Sequence, residues 1–155
     1  MGIINTSIIR QVKKAVKEIE ESLYPTMMDV FNKEADVLKG IQTDVQLFTK
    51  SQDRKGLTIH PDYADSTISI KLKKGQPTKR VTLKDTGDFY GSIEVRATSN
   101  QLIISASVEY AKYLTGKYGQ DILGIQNMEM KEFFIKFIKP QIEKNISDII
   151  SRNKI

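Results

Sequence analysis

The chain has 155 residues, of which 39% are hydrophobic and 28% charged, and its formal net charge is +5. This composition is typical of one soluble globular domain with a sizeable core, and no apolar run reaches the roughly 20 residues of a membrane helix. With no cysteine and one histidine, His60, the sequence excludes disulfides and His/Cys zinc sites. We expect no cofactor and no metal.

The first residues show no targeting segment. Met1–Asn5 lacks the basic and long apolar stretches of a secretory signal. Gly2 with Thr6 matches a myristoylation pattern, but that pattern is short and frequent by chance, so we expect no lipid anchor.

Residues 1–50 predict a long, kinked helical arm, with Thr6-Ser7 as its cap. Apolar residues recur at spacings of three and four from Ile9 to Leu23, as in an amphipathic helix. Pro25 predicts a break or kink near Leu23-Tyr24 and can also open a second helix. The apolar positions of that second helix are Met27, Phe31, Ala35, Leu38, Ile41 or Gln42, Val45 and Phe48.

Residues 57–155 predict an α+β core, with 1–155 forming a single domain. Leu57-Thr58-Ile59 indicates a short strand, and His60 most simply lies in a solvated loop. The segment 66–74 is ambiguous. Its alternating Ile68, Ile70 and Leu72 favour a strand, whereas a cap at Asp65 or Ser66 and a stop at Gly75 favour a helix.

The basic segment from Lys71 to Lys84 supplies the candidate interface or channel residues. Gly75 and Pro77 interrupt the segment, so we expect its cations to be mobile and solvated. The alternative is an arm that lies near phosphates or an acidic neighbour. The candidates are Lys73, Lys74, Lys79, Arg80 and Lys84.

The stretch 80–93 begins with an extended run through Val81 and Leu83 and then makes a dense turn, Asp85-Thr86-Gly87-Asp88. Thr86 or Asp85 can cap a short helix there, and Gly87 allows the backbone a turn that a Cβ would disfavour. The apolar face of the helix would consist of Phe89, Ile93 and Tyr90.

The remainder predicts a hairpin and a long helix. Residues 93–98 and 102–108 flank Ser99-Asn100-Gln101, the clearest hairpin signal. Residues 110–114 predict a helical turn, and 116–119 a flexible loop. A long C-terminal helix starts at Asn127 as N-cap and bends at Pro140. The predicted fold is thus a small, mainly antiparallel sheet packed on this helix. The apolar face from 130 to 150 is wider than the sheet needs, which predicts a subunit contact.

Chemistry-bearing residues are sparse. Asp85, Asp88 and Glu94 could in principle seed a metal-dependent nuclease or hydrolase, but Arg96 is a poor substitute for a lysine that positions water. No glycine-rich phosphate loop is present. We therefore expect no enzyme and no catalytic residues.

One motif resembles that of a known family. The spacing Leu-x-x-Thr-Gly-x-Phe-x-x-Ser-Ile resembles the central motif of bacteriophage tail-completion (head–tail joining, minor tail) proteins. In that family a hairpin and a Tyr-Ala segment follow. The similarity covers about residues 66–150, favours a helix at 66–74, and departs where residues 121–125 replace a Pro-Arg-Pro-Phe-like stretch. The matching residues are Leu83, Thr86, Gly87, Phe89, Ser92, Ile93, Tyr110 and Ala111.

The resemblance implies a structural virion protein without enzymatic activity. Such a protein would form a homo-oligomeric ring in the neck of a tailed phage, between connector or portal proteins and tail proteins, after assembly in the host cytoplasm. DNA would pass non-specifically, and no membrane would be involved. Two other classes remain open: a basic nucleic-acid-binding module, and the small metal-dependent hydrolase described above.

Overall fold

A computed structural model describes residues 6–155, so the predictions about a signal or lipid anchor at residues 1–5 lie outside the described residues. The fold is α+β, as predicted. Two π-helical stretches span Ile41–Lys50 and Phe134–Ile138, and a 3-10 turn spans Gln120–Ile122. The other elements are α1 (Thr6–Lys33), α2 (Ala35–Gly40), α3 (Asp65–Lys73), α4 (Asp88–Gly91), β1 (Ile93–Ala97), β2 (Leu102–Ala106), α5 (Ala111–Tyr118), α6 (Asn127–Phe133) and α7 (Lys139–Arg152).

The long N-terminal helix breaks later than the sequence predicts. α1 runs through Pro25 without interruption, and the break lies at Glu34, whose φ of −101° and ψ of 23° leave the helical region. Proline removes one hydrogen bond, to the carbonyl of residue 21. Because Glu21 is exposed, water can replace that bond, and packing against α7 holds the helix on both sides of the proline.

The antiparallel hairpin joins two hydrophobic clusters. Ile93 at the start of β1 packs in a cluster with Leu47, while Ala97 at its end packs in a second cluster with Leu38 and Phe133. The register pairs Ile93 with Ala106 and Ala97 with Leu102. At the edge of β1, Asn32 of α1 accepts a hydrogen bond from Ala97 N (2.8 Å) and donates one to Ala97 O (3.2 Å).

The C-terminal helix completes the second cluster and is bent by 28°. Phe133 stacks on Phe31 of α1 with ring centroids 5.8 Å apart. Pro140 lies in the first turn of α7, directly after the π-helical stretch, and both features are recognised causes of helix bending. The helix begins at Asn127 itself, so the predicted N-cap is one residue late.

Several local predictions need correction. The strand expected at 57–59 is reduced to a single bridge between Gln52 and Thr58. The open choice between helix and strand at 66–74 is decided for helix, which spans Asp65–Lys73 (α3). Residues 81–84 form no paired strand, and the extended run expected there is interrupted at Leu83, where φ is 55°. The loop expected at 116–119 is instead the end of α5, which stops at Gly119, where φ is +90°.

Two buried glutamines that the sequence analysis did not single out hold the segment between α5 and α6. The amide of Gln42 donates to Ile122 O and accepts from Gly124 N, both at 2.7 Å. Gln46, one turn on, donates to Gly124 O at 2.9 Å and accepts from Gln126 N at 2.8 Å. The two side chains therefore form hydrogen bonds with the backbone N–H and C=O groups of a segment that has no sheet partner, as a neighbouring strand would.

Candidate functional site

Residues 81–87 form the motif loop, which is buried at 81–83 and held in place by the side chains of Tyr63, just before α3, and Tyr90 of α4. Tyr63 accepts hydrogen bonds at its phenolic oxygen from Thr82 N (2.8 Å) and Leu83 N (3.2 Å). Tyr90 donates its hydroxyl hydrogen to Thr82 O. Burial raises the pKa of Tyr90 far above its usual range, so this phenol remains a donor. Leu83 adopts a left-handed φ of 55°, and the bonds to its neighbours fix that conformation.

A buried lysine continues the support of this loop. Lys71 is 5% exposed, and its ammonium donates to Lys84 O (2.6 Å) and Gln76 Oε1 (3.0 Å). Gln76 in turn donates to Asp85 O at 2.8 Å. The hydrogen bond from Lys74 to Asp85 (2.7 Å) holds the pKa of that carboxyl below its usual range. Three of these four contacts join α3 and its following turn to the motif loop.

The Thr86-Gly87-Asp88 turn starts the short helix α4 that the sequence predicts, but the expected cap at Thr86 or Asp85 is wrong, since Gly87 is the N-cap and no side-chain cap hydrogen bond forms. Gly87 has a φ of +102°, in the region that favours glycine. The Thr86 hydroxyl donates to Asp88 Oδ2 at 2.6 Å and accepts weakly from Asp88 N at 3.4 Å. Ser92 donates to Phe89 O at 2.8 Å and so closes the same short helix.

An open groove of about 480 Å³ runs between α3, the motif loop and α5. Its walls are mostly aliphatic and aromatic. Ile70 and Tyr110 are 53% and 39% exposed along it, so the groove presents apolar surface to solvent. The lining residues are Tyr63, Thr67, Ile70, Lys71, Leu83, Lys84, Asp85, Thr86, Asp88, Tyr110, Leu114 and Tyr118.

The structure brings the two parts of the predicted motif together at this groove. Leu83 and Thr86 line one wall and Tyr110 the other. Ala111 is buried in the cluster that contains Phe89 and Ile93. The motif residues thus have two roles: the apolar ones anchor the loop in the core, and the turn residues shape the groove rim.

The five basic candidates do not form one patch. Lys73 and Lys79 are exposed, and Lys74 is paired with Asp85. Arg80 donates to Phe48 O at 2.9 Å and lies over the Phe48 ring, and the Lys84 ammonium lies 5.0 Å from the same ring centroid. The expectation of a mobile loop is therefore wrong for Lys74, Arg80 and Lys84, which have fixed partners.

Two of the three carboxylates of the alternative hydrolase interpretation, Asp85 and Asp88, bind other side chains of this chain. Asp85 is bound by Lys74, Asp88 by the Thr86 hydroxyl, and Glu94 lies exposed on β1. His60 is exposed and lies 3.5 Å from Asp62. Within residues 6–155, no three His, Cys, Asp or Glu side chains are grouped so as to hold a metal ion. In the same range, no helix is long and apolar enough to cross a membrane.

Sequence reasoning missed the residues that complete the groove. Tyr63, Lys71 and Leu114 come from three separate elements, and no local spacing links them to the motif. The glutamine pair carried a usable signal, because Gln42 and Gln46 lie four residues apart within an otherwise apolar helix face.

Comparisons with family models, curated proteins and solved structures gave no match for this chain. The similarity at residues 83–93 therefore remains a prediction from the motif.

Proposed function

We propose that this protein is a structural subunit of a tailed phage, a tail-completion or head–tail joining protein that works as a homo-oligomeric ring at the neck. The observation that carries the proposal is the groove at the motif. Three of the residues that resemble the family motif, Leu83, Thr86 and Tyr110, line this open groove, and exposed apolar surface of this kind is suited to contact with another protein. The element order agrees with the resemblance, since the motif precedes a hairpin, the Tyr110-Ala111 segment and a long last helix.

The mechanism would be mechanical. A ring needs a head-to-tail contact in which one surface of each subunit fits a different surface of the next. The groove supplies one of those surfaces, lined by both apolar and polar side chains. The ring would seal the junction between connector and tail around a channel for DNA. Because Lys74, Arg80 and Lys84 are engaged with protein groups, they would not hold phosphates strongly and would not impede passage of the genome.

A pair of substitutions on α3 tests the groove. Ile70 and Leu72 are both exposed, at 53% and 63%, but only Ile70 lines the groove. In a phage that carries this gene, Ile70→Glu should leave the protein folded and cause tailless heads to accumulate. Leu72→Glu is the matched control and should give normal particles. Normal particles from Ile70→Glu, or from a deletion of the gene, would contradict the proposal.

A further inference from the structure

A row of aliphatic side chains at the start of α1 is left uncovered. Ile8, Ile9, Val12 and Val16 are 49%, 40%, 41% and 48% exposed. At about 100° per residue, they occupy roughly a quarter of the helix circumference. A contiguous apolar stripe on a helix marks a contact surface.

The stripe belongs to a coiled-coil repeat. The apolar residues alternate at spacings of three and four over two heptads, which places them at a and d positions. A separate side of α1 packs on α7. That side carries the buried Ala15 and Glu18, which is paired with Arg152 of α7. The apolar row and the side of α1 that faces α7 lie about 100° apart around the helix, so α7 covers the apolar row only in part. The seam consists of Ile9, Val12, Val16, Ile19 and Leu23.

α7 adds to the same surface. It runs antiparallel to α1, because Asn145 bonds to Thr26 and Arg152 bonds to Glu18. Helical periodicity and handedness place Ile146 and the 39% exposed Ile150 on the seam side of the helix pair. In this register the first turns of α1 project beyond the end of α7.

We propose that the seam docks a second copy of this chain, with two α1 helices antiparallel about a two-fold axis. Val16 of one copy then lies opposite Ile19 of the other, and Val12 opposite Leu23. The projecting turns of each copy cover the Ile150 region of the other. The contact is isologous and closes on itself, so it is separate from the head-to-tail contact of a ring and does not rest on the proposed function.

Charge complementarity selects this occupant and orientation. Lys13 and Glu20 are the e positions beside the seam, and antiparallel packing brings Lys13 of each copy to Glu20 of the other. Along α1, Lys14 pairs with Glu18 and Lys17 with Glu21, each at 3.7 Å. Among residues 6–155, neither Lys13 nor Glu20 takes part in an ion pair of its own chain. In a parallel pair of α1 helices, Lys13 and Glu20 would each face uncharged residues of the other helix.

Charge reversal provides the test, read by sedimentation of the full chain over a range of concentrations. Lys13→Glu and Glu20→Lys should each weaken dimerisation by roughly tenfold, since two symmetric attractions become repulsions. An equimolar mixture of the two variants should restore it, as should the double variant. Arg10→Glu makes the same charge change away from the seam and is the matched control, expected to dimerise like the wild type.

Single cysteines test the orientation, because the chain has none of its own. Under mild oxidation Val16→Cys, close to the proposed axis, should give a disulfide-linked dimer. Val12→Cys should not, because the two cysteines would lie about 16 Å apart along the antiparallel pair. Efficient linking at both positions would overturn the antiparallel arrangement.

Two results would overturn the docking of a second copy altogether. One is a wild-type chain that stays monomeric at roughly 100 μM, beyond the micromolar range of a weak contact. The other is equal dimerisation by the wild type and both single charge variants. A monomer that binds vesicles of anionic phosphatidylglycerol would assign the basic, apolar face of α1 to a membrane surface instead.

Discussion

Tyr63 holds Thr82 in place: its phenolic oxygen accepts a hydrogen bond at 2.8 Å from a backbone N–H that lies 19 residues further along the chain. The same oxygen accepts from the neighbouring Leu83. One side chain thus satisfies two backbone donors of a buried loop that has no strand partner. The shape of the groove rim depends on that support.

We expect Tyr63→Phe to lower the free energy of unfolding by about 1–3 kcal/mol, because it leaves buried N–H groups without an acceptor. Chemical denaturation measures the loss. Tyr113→Phe removes the same atom from a side chain that is 68% exposed and should be neutral. Equal effects of the two substitutions would mean that the loop does not need this acceptor.

Gly87→Val should destabilise the protein by about 1–3 kcal/mol, since valine strongly disfavours a positive φ. An added Cβ at Gly87 would meet no atom within 4 Å, so the loss comes from the backbone and not from a clash. Gly87→Asn should cost less, because asparagine tolerates this region. Gly116→Ala, inside α5, should instead be stabilising by up to about 1 kcal/mol. An unchanged melting temperature for Gly87→Val would refute the described turn.

Gln42→Leu should cost about 2–4 kcal/mol, because it strands the carbonyl of Ile122 and the N–H of Gly124 in the interior. Urea denaturation measures this, and amide exchange at Gly124 should become faster. Gln120→Leu, at an exposed position, provides the control. If the amide of Gly124 stayed as protected from exchange in Gln42→Leu as in the wild type, this role of Gln42 would be contradicted.

The Glu18 carboxylate should contribute to stability only at moderate and high pH. Hydrogen bonds from Asn153 and then Arg152 lower its folded-state pKa below the ordinary 4.5. A lowered pKa gives stability that is present above the unfolded pKa and lost as the pH falls through the folded one. The urea midpoints of wild type and Glu18→Gln should therefore differ at pH 6 and converge near pH 2. A difference between the two urea midpoints that persisted near pH 2 would exclude ionisation of Glu18 as its origin. Glu143→Gln, from an i,i+4 surface pair at 3.7 Å, should change less.

Replacement of Lys73, Lys74, Lys79 and Arg80 together by serine should leave the fold intact. The variant removes two exposed hydrogen bonds, from Lys74 to Asp85 and from Arg80 to Phe48 O, and each contributes about 1 kcal/mol or less. We expect impaired particle assembly if these residues face an acidic neighbour. Wild-type DNA binding at physiological salt should be at most non-specific and screened. Normal particles from the variant, together with sequence-selective binding by the wild type, would favour the nucleic-acid alternative.

Local signals in the sequence determined the fold class, the hairpin, the turn at Gly87 and the long terminal helices. Each of these depends on residues that lie close together in the chain: the alternation of 93–97, the freedom of a glycine, or the period of an amphipathic helix. The heptad spacing of the apolar residues in α1 also predicts the seam. Its exposure, however, follows only from the position of α7.

The tertiary structure alone decided the rest. Segment 65–73 is a helix, and Lys71 on it donates to the carbonyl of residue 84, a contact that alternating hydrophobicity cannot encode. Pro25 stays inside α1 because packing on α7 outweighs one missing hydrogen bond. The groove exists because Tyr63, Leu83 and Tyr110 meet from distant parts of the chain. Long-range contacts of this kind override local preference, since burial of many side chains outweighs the fraction of a kcal/mol per residue that propensity supplies.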